Sequence, residues 1–173
     1  FDAGDCYVAP GFIDVHVHGL HGFDTLDGEG AIARIAAVLP RYGVTAFCPT
    51  TVACAPDDLR VVLEQVRHAR LSPIAGSARV LPAHLESNFI NPEYKGAQPA
   101  DCLRTAIESP RDGVYSGRDV LDVISTFRPD VGIVRLRFER IPEEDHEVDT
   151  AFDDGGPDLL IAAGRAARQG GHG

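Results

Sequence analysis

Four runs rich in β-forming residues, Phe12–Val17, Val44–Thr51, Arg79–Glu86 and Val131–Leu136, alternate with stretches whose apolar residues recur at helical spacing. The first such stretch, 31–42, carries Ile32, Ile35, Ala36 and Leu39 at i, i+3, i+4, i+7 and ends at Gly43, the position of a helix C-cap. The second opens on Pro56, with Asp57 and Asp58 at the positive end of the helix dipole, and lines up Leu59, Val62, Leu63 and Val66. Ser116, with Asp119 three residues on, caps a third helix whose apolar side is Val120, Ile124 and Phe127. A last helix-like run extends from Pro157 to Arg168. This β-α-β-α-β-α-β-α order predicts a parallel sheet with right-handed crossovers. A doubly wound sheet and a (β/α)8 barrel both satisfy it. No Gly-x-Gly-x-x-Gly or P-loop follows a strand, which removes the phosphate loops that a doubly wound sheet usually carries. The expectation is therefore an α/β chain of the TIM-barrel type, residues 1–173 covering its first four β/α units, about half of it. Segment 135–157, acidic and irregular from Glu143 to Gly156, stands apart within it. Two connections are unusual: a glycine-rich one from Gly19 to Gly30, and one from Ser87 to about Tyr115 that exceeds ordinary loop lengths.

At 173 residues, 44% of them hydrophobic, the chain is long enough to bury a core. Its 16 basic and 26 acidic residues give a net charge of −10, which argues against a nucleic acid or an anionic membrane as partner. A small anionic substrate stays compatible, because a few local arginines can overrule the mean field. No run of about 18 apolar residues is present, and nothing at the start has the layout of a signal peptide. Cys6, Cys48, Cys54 and Cys102 are too scattered for a zinc knuckle or a disulfide framework, and read as reduced thiols of an intracellular, cytoplasmic protein. The chain opens on Phe1, holds no methionine and closes on Gln-Gly-Gly-His-Gly, which reads as a piece of a longer protein.

The chemistry gathers at strand ends. In Pro10-Gly-Phe-Ile-Asp-Val-His-Val-His-Gly19, read as a strand, Ile13, Val15 and Val17 point one way and Asp14, His16 and His18 the other. Two imidazoles on one strand face can converge on one metal ion. In the third strand, an inward Glu86 takes His84 and Pro82 with it, leaving Leu81, Ala83 and Leu85 for the helices. His16, His18 and Glu86 then form a nitrogen-nitrogen-oxygen set suited to Zn²⁺, Fe²⁺ or Mn²⁺. His84 reads either as a group orienting a ligand or as a core histidine bonded to backbone. His21, His68 and His146 read as surface residues, His21 being the best placed of them to line the site, and His172 as a terminal residue.

These residues carry a resemblance. Pro10-Gly-Phe-Ile-Asp-x-His-x-His-Gly19 is similar to the opening signature of the amidohydrolase superfamily. His84-Leu-Glu86, Phe89-Ile-Asn-Pro92 and Lys95-Gly-Ala-Gln98 resemble more specifically the N-acetylglucosamine-6-phosphate deacetylase family, as does Tyr42-Gly-Val-Thr45 leading to Pro49-Thr-Thr51. The resemblance runs from about Tyr7 to Val134. It implies a metal-dependent hydrolase, homodimeric when full-length, that uses metal-activated water to release acetate from N-acetylglucosamine 6-phosphate and leave glucosamine 6-phosphate. Glu86 matches the family's metal-binding glutamate, and His16 and His18 a histidine pair that some members keep for a second ion. Zinc is the first expectation, with iron or manganese as alternatives and one or two ions in all. Ala97 matches a position whose backbone touches the sugar. Gln98 beside it, Asn88 and His21 are the other candidates for substrate contact, with a plain loop residue as the alternative for Asn88. The family's catalytic aspartate and two further metal-binding histidines are expected on later strands, beyond Gly173, so no catalytic residue is assigned here.

The chain departs from the pattern twice. Ser87-Asn88 follows Glu86 where the family writes Gly-Pro, and Arg135-Leu-Arg-Phe-Glu139 stands where it tends to write Thr-Leu-Ala-Pro-Glu. Two alternatives remain in view. One is an amidohydrolase acting on a cyclic amide, a dihydroorotase or hydantoinase relative, which would need a carbamylated lysine on the fourth strand; that strand has none, and Lys95 lies in the long loop. The other is a half-barrel that binds metal without turnover, whose open strand edges and apolar face would favour self-association.

Overall fold

The computed structural model describes residue 2 and residues 4–105, 114–136 and 148–151. The run 157–168, Glu139, His146 and His172 lie outside the described residues.

The strands are β1 (Phe12–Val17), β2 (Gly19–Leu20), β3 (Phe23–Asp24), β4 (Val44–Thr51), β5 (Arg79–Val80), β6 (Ala83–Leu85), β7 (Val131–Leu136) and β8 (Val148–Ala151). The helices are α1 (Ala31–Val38), α2 (Pro56–Leu71) and α3 (Gly117–Thr126). Strands β1, β4, β6 and β7 lie side by side in chain order and all parallel, with β5 beside β4. An order that always advances in one direction sends every right-handed crossover over the same face, so the sheet is singly wound and α1, α2 and α3 pack as one layer.

Between that layer and the sheet lies the core. Phe47 of β4 is fully buried among Ile32 and Ile35 of α1, Val62, Leu63 and Val66 of α2, and Val120 of α3. Each such side chain contributes about 1.5–3 kcal/mol by leaving water. Buried Asp130, just before β7, binds Arg67 Nε at 2.7 Å and Arg70 Nη1 at 2.5 Å, tying α2 to the entry of the fourth parallel strand. At α3 the capping box is complete: Asp119 N–H donates to Ser116 Oγ, and Ser116 N–H donates to the Asp119 carboxylate. The Ser116 N–H and, second, the Ser116 hydroxyl at 2.9 Å both donate to the Asp119 carboxylate and hold it below its ordinary range.

Four expectations are corrected, and the apolar side of β1 proves largely exposed. The stretch 31–42 is α-helical only to Val38 and continues as a 3-10 turn, Leu39–Tyr42. Pro40 has no N–H to give the Ala36 carbonyl, and that carbonyl takes Ala78 N–H instead at 2.8 Å. Gly43 ends the turn with φ of 78°. The third strand is broken: β5 pairs with Ala46 and Phe47, β6 with Thr50 and Thr51, and Pro82 occupies the gap. Across the gap the phase slips, so Val80, Ala83 and Leu85 enter the core while Leu81 is half-buried. Of the three aligned residues of β1, Val17 alone is buried; Ile13 and Val15 are 65% and 53% exposed because β1 is an edge of the sheet. The glycine-rich connection contains the β2–β3 hairpin, and Gly19 is required there because a Cβ would collide with the Phe23 carbonyl. The irregular segment contains β8, paired antiparallel to β7.

The loop after β6 is packed rather than loose, with Ser87, Asn88, Phe89, Ile90 and Gln98 all buried. All four cysteines are free. Among the described residues no helix is long and apolar enough to cross a membrane.

Candidate metal centre

His16 lies near the end of β1 and His18 just past it, and Glu86 directly follows β6 two strands away. Several bonds fix their meeting point. Opposite Pro49 of β4, Val17 N–H donates to a side chain, Thr50 Oγ1, at 3.0 Å. Thr25, fully buried, donates from Oγ1 to the Thr50 carbonyl at 2.6 Å and from its backbone N–H to the His18 carbonyl at 2.8 Å. The two threonines therefore latch the histidine segment to β4. On the other side Glu86 N–H donates to the Thr51 carbonyl at 3.0 Å.

The resulting group is compact. His16 Nε2 and His18 Nε2 are 3.0 Å apart, His16 Nε2 lies 3.6 Å from Glu86 Oε1, and His18 Nε2 lies 3.4 Å from Glu86 Oε2. A tetrahedral ion with bonds of about 2.0–2.1 Å holds its donors roughly 3.3 Å apart. Each imidazole faces a different oxygen of Glu86, and one donor atom from each residue brings all three within 4.8 Å of one another; two imidazoles and one carboxylate are the donor types such an ion takes. The thiols stay out of the set. Burial pushes the Cys54 thiol up to about 12, with nearby Asp58 adding to it, and burial with Asp14 also raises Cys48.

His84 lies behind this group. Its Nδ1 pairs with the Val15 carbonyl at 3.0 Å, and its ring stands edge-on to that of His16, centroids 4.9 Å apart. His84 is thus the buried, backbone-bonded histidine of one sequence reading, and it packs against a metal-ligand candidate.

The other candidates divide. Gln98 is buried against Glu86, donating from Nε2 to Oε2 at 2.5 Å while its Oε1 accepts Ala53 N–H at 2.6 Å. Ala97, next to it, is exposed. Asn88 is buried with its amide donating to the carbonyls of Cys54 and Cys102, both at 2.7 Å, so its donors serve the loop. His21 pairs with Tyr42 Oη at 2.7 Å, outside the donor group.

Three residues that sequence reasoning missed complete the surroundings. Two are Thr25 and Thr50. The third is Arg135 of β7, whose Nη1 donates to Glu86 Oε1 at 2.6 Å. Ser87 explains one departure from the family pattern: it has φ of 62°, a left-handed conformation natural to glycine, and its Oγ donates to the Arg135 carbonyl and accepts Phe89 N–H.

Comparison with known proteins follows the same direction. No family model matches the chain. The N-acetylglucosamine-6-phosphate deacetylase of Rattus norvegicus is 37% identical over 153 residues, which is 85% of this chain and 34% of the rat protein. That of Bacillus subtilis is 36% identical over 104 residues, 58% of this chain and 26% of the bacterial one. A variant of the Mycobacterium smegmatis N-acetyl-D-glucosamine-6-phosphate deacetylase, solved with N-acetyl-D-glucosamine-6-phosphate, superposes with a TM-score of 0.56 at 25% identity, covering 79% of this chain and 31% of that one. The chain spans about a third of the length of these relatives.

Proposed function

Starting from homology to the N-terminal part of N-acetylglucosamine-6-phosphate deacetylases, which are hydrolases of carbon–nitrogen bonds, we propose that this chain supplies the metal-binding part of such an active site. The observation that carries the reading is the convergence of His16, His18 and Glu86, one donor atom from each within 4.8 Å of the others. These three residues would hold a divalent ion, zinc before iron or manganese. Such an ion supplies Lewis-acid chemistry, lowering the pKa of a water to about 7 and polarising an amide carbonyl.

The chain's own residues do the rest of what is assigned to it. Gln98 holds one oxygen of Glu86 in place, and the edge-on ring of His84 restricts that of His16. The exposed Ala97 puts a backbone next to Gln98, where a sugar hydroxyl could be read. In the proposed reaction a water oxygen adds to the acetyl carbonyl of N-acetylglucosamine 6-phosphate, the C–N bond breaks, and the amine leaves with a proton. The products are acetate and glucosamine 6-phosphate. The general base, an aspartate in the resemblance, is assigned to no residue of this chain. The singly wound sheet is read as one arc of a (β/α)8 barrel, because an unreversed strand order is the order of a barrel wall. The absence of lysine from β7 disfavours the cyclic-amide alternative.

Acetate release from N-acetylglucosamine 6-phosphate, assayed with zinc restored to metal-stripped protein, tests the reading. Zinc-dependent release that disappears in His18→Ala supports it. Zinc binding without release supports the non-catalytic alternative for this chain. Release that needs neither zinc nor His18 overturns the assignment.

A further inference from the structure

The donor group contains one charged residue beyond what two histidines and a carboxylate need. Arg135 binds Glu86 through a charge-assisted bond of 2.6 Å, in surroundings that leave its side chain 20% exposed and that of Glu86 9% exposed. Gln98 takes the other carboxylate oxygen. Lone pairs remain on Glu86 for a metal ion, since a carboxylate offers about four acceptor sites. Electrostatics is the obstacle. With neutral imidazoles the three donors alone carry one negative charge, and with Arg135 included the group is formally neutral. A dication entering at Glu86 meets a guanidinium that already neutralises the same carboxylate.

The arginine is held there deliberately. Leu85 and Val134 are register partners between β6 and β7, so Glu86 and Arg135 stand one step further along both strands. Ser87 Oγ donates to the Arg135 carbonyl at 2.5 Å, and this bond locks the backbone after Glu86 to the backbone of its counter-ion.

We propose that Arg135 is a built-in competitor for the metal: it stands in for the cation at Glu86 in the metal-free chain and gives way when an ion binds. The consequence is weakened affinity, so that occupancy follows the available metal rather than being permanent. The inference rests on the metal-site reading above and specifies how that site is regulated.

The test is zinc titration of metal-stripped full chain against a chromogenic chelator, with Arg135→Met, Arg135→Gln and Arg135→Lys, folding being checked by circular dichroism. Because they remove the repulsion between a fixed cation and the entering dication, the two neutral variants are expected to bind zinc at least about tenfold more tightly than wild type, and the lysine variant within about threefold of it. Thermal melts add an independent readout. Without metal the neutral variants melt below wild type, because Glu86 has lost its counter-ion, and zinc raises their melting temperature more than it raises that of wild type. Equal or weaker zinc binding by both neutral variants overturns the role of Arg135 and leaves the metal site standing. Folded wild type and variants that all fail to take up zinc overturn the metal site, and this proposal with it.

Discussion

Ser87 offers the sharpest check on the backbone beside the metal centre. It is 3% exposed, has φ of 62°, and makes two hydrogen bonds through Oγ, to the Arg135 carbonyl at 2.5 Å and from Phe89 N–H at 3.2 Å. Ser87→Ala keeps the left-handed backbone and removes both bonds. Leaving one buried donor without this acceptor costs about 1–3 kcal/mol, so a loss of about 2 kcal/mol is expected. Ser87→Gly removes the same bonds but relieves about 1–2 kcal/mol of left-handed strain, of which the greater freedom of the unfolded chain takes back about 0.5–1 kcal/mol. The predicted order of stability is wild type, then glycine, then alanine, with about 1 kcal/mol between the two variants. In a chain of this size that gap is a difference of about 2–4 °C in melting temperature. Urea unfolding followed by circular dichroism measures it. An alanine variant as stable as the glycine variant would refute the left-handed assignment, and two variants as stable as wild type would refute the importance of Oγ.

The capping box of α3 and the free edge of the sheet give the remaining predictions. Ser116→Ala should cost about 1 kcal/mol at neutral pH. Because Asp119 is depressed below its ordinary range when folded, its contribution is present above that range and disappears as the pH falls through the folded value. The gap between wild type and Ser116→Ala should therefore narrow below about pH 4, as acid titrations of both proteins would reveal. Edge strand β1 exposes Phe12, Ile13 and Val15 by 71%, 65% and 53%, so the chain is expected to self-associate through it, and Ile13→Lys to reduce that association. Sedimentation velocity showing a compact wild-type monomer, unchanged by the substitution, would contradict this.

Much of the fold was legible because its punctuation is local. Pro56, Ser116 with Asp119, and Gly43 each act within a few residues, and the bounds of β1, β4 and β7 follow from β-forming runs. The misreadings share a different cause. Pro40 and Pro82 change hydrogen bonding without disturbing the apolar pattern, so a helix end and a strand break passed unseen. The exposure of Ile13 and Val15 depends on which strand lies at the edge, and the alternation of β1 carries no trace of that. Strand β8 hides in an acidic stretch without alternation.

The candidate site divides in the same way. Strand parity alone put His16 with His18 and turned Glu86 and His84 to one side. That Glu86 meets Arg135, 49 residues away, depends on the register of β6 against β7, which no local pattern encodes. Gln98 stood out as a substrate candidate by its position in a motif, whereas its packing against Glu86 depends on how a long loop folds back. Thr50 was visible only as part of Pro49-Thr-Thr51, and its work is to accept the Val17 N–H and, through its carbonyl, the Thr25 hydroxyl.

The central claim is that His16, His18 and Glu86 form one metal site. Equilibrium dialysis against a zinc series carried to saturation, for wild type, His18→Ala and Glu86→Gln, tests it most directly. The account predicts a stoichiometric ion in wild type and a loss of at least tenfold in affinity in each folded variant. Zinc retained equally by all three proteins, or bound by none of them, would contradict it.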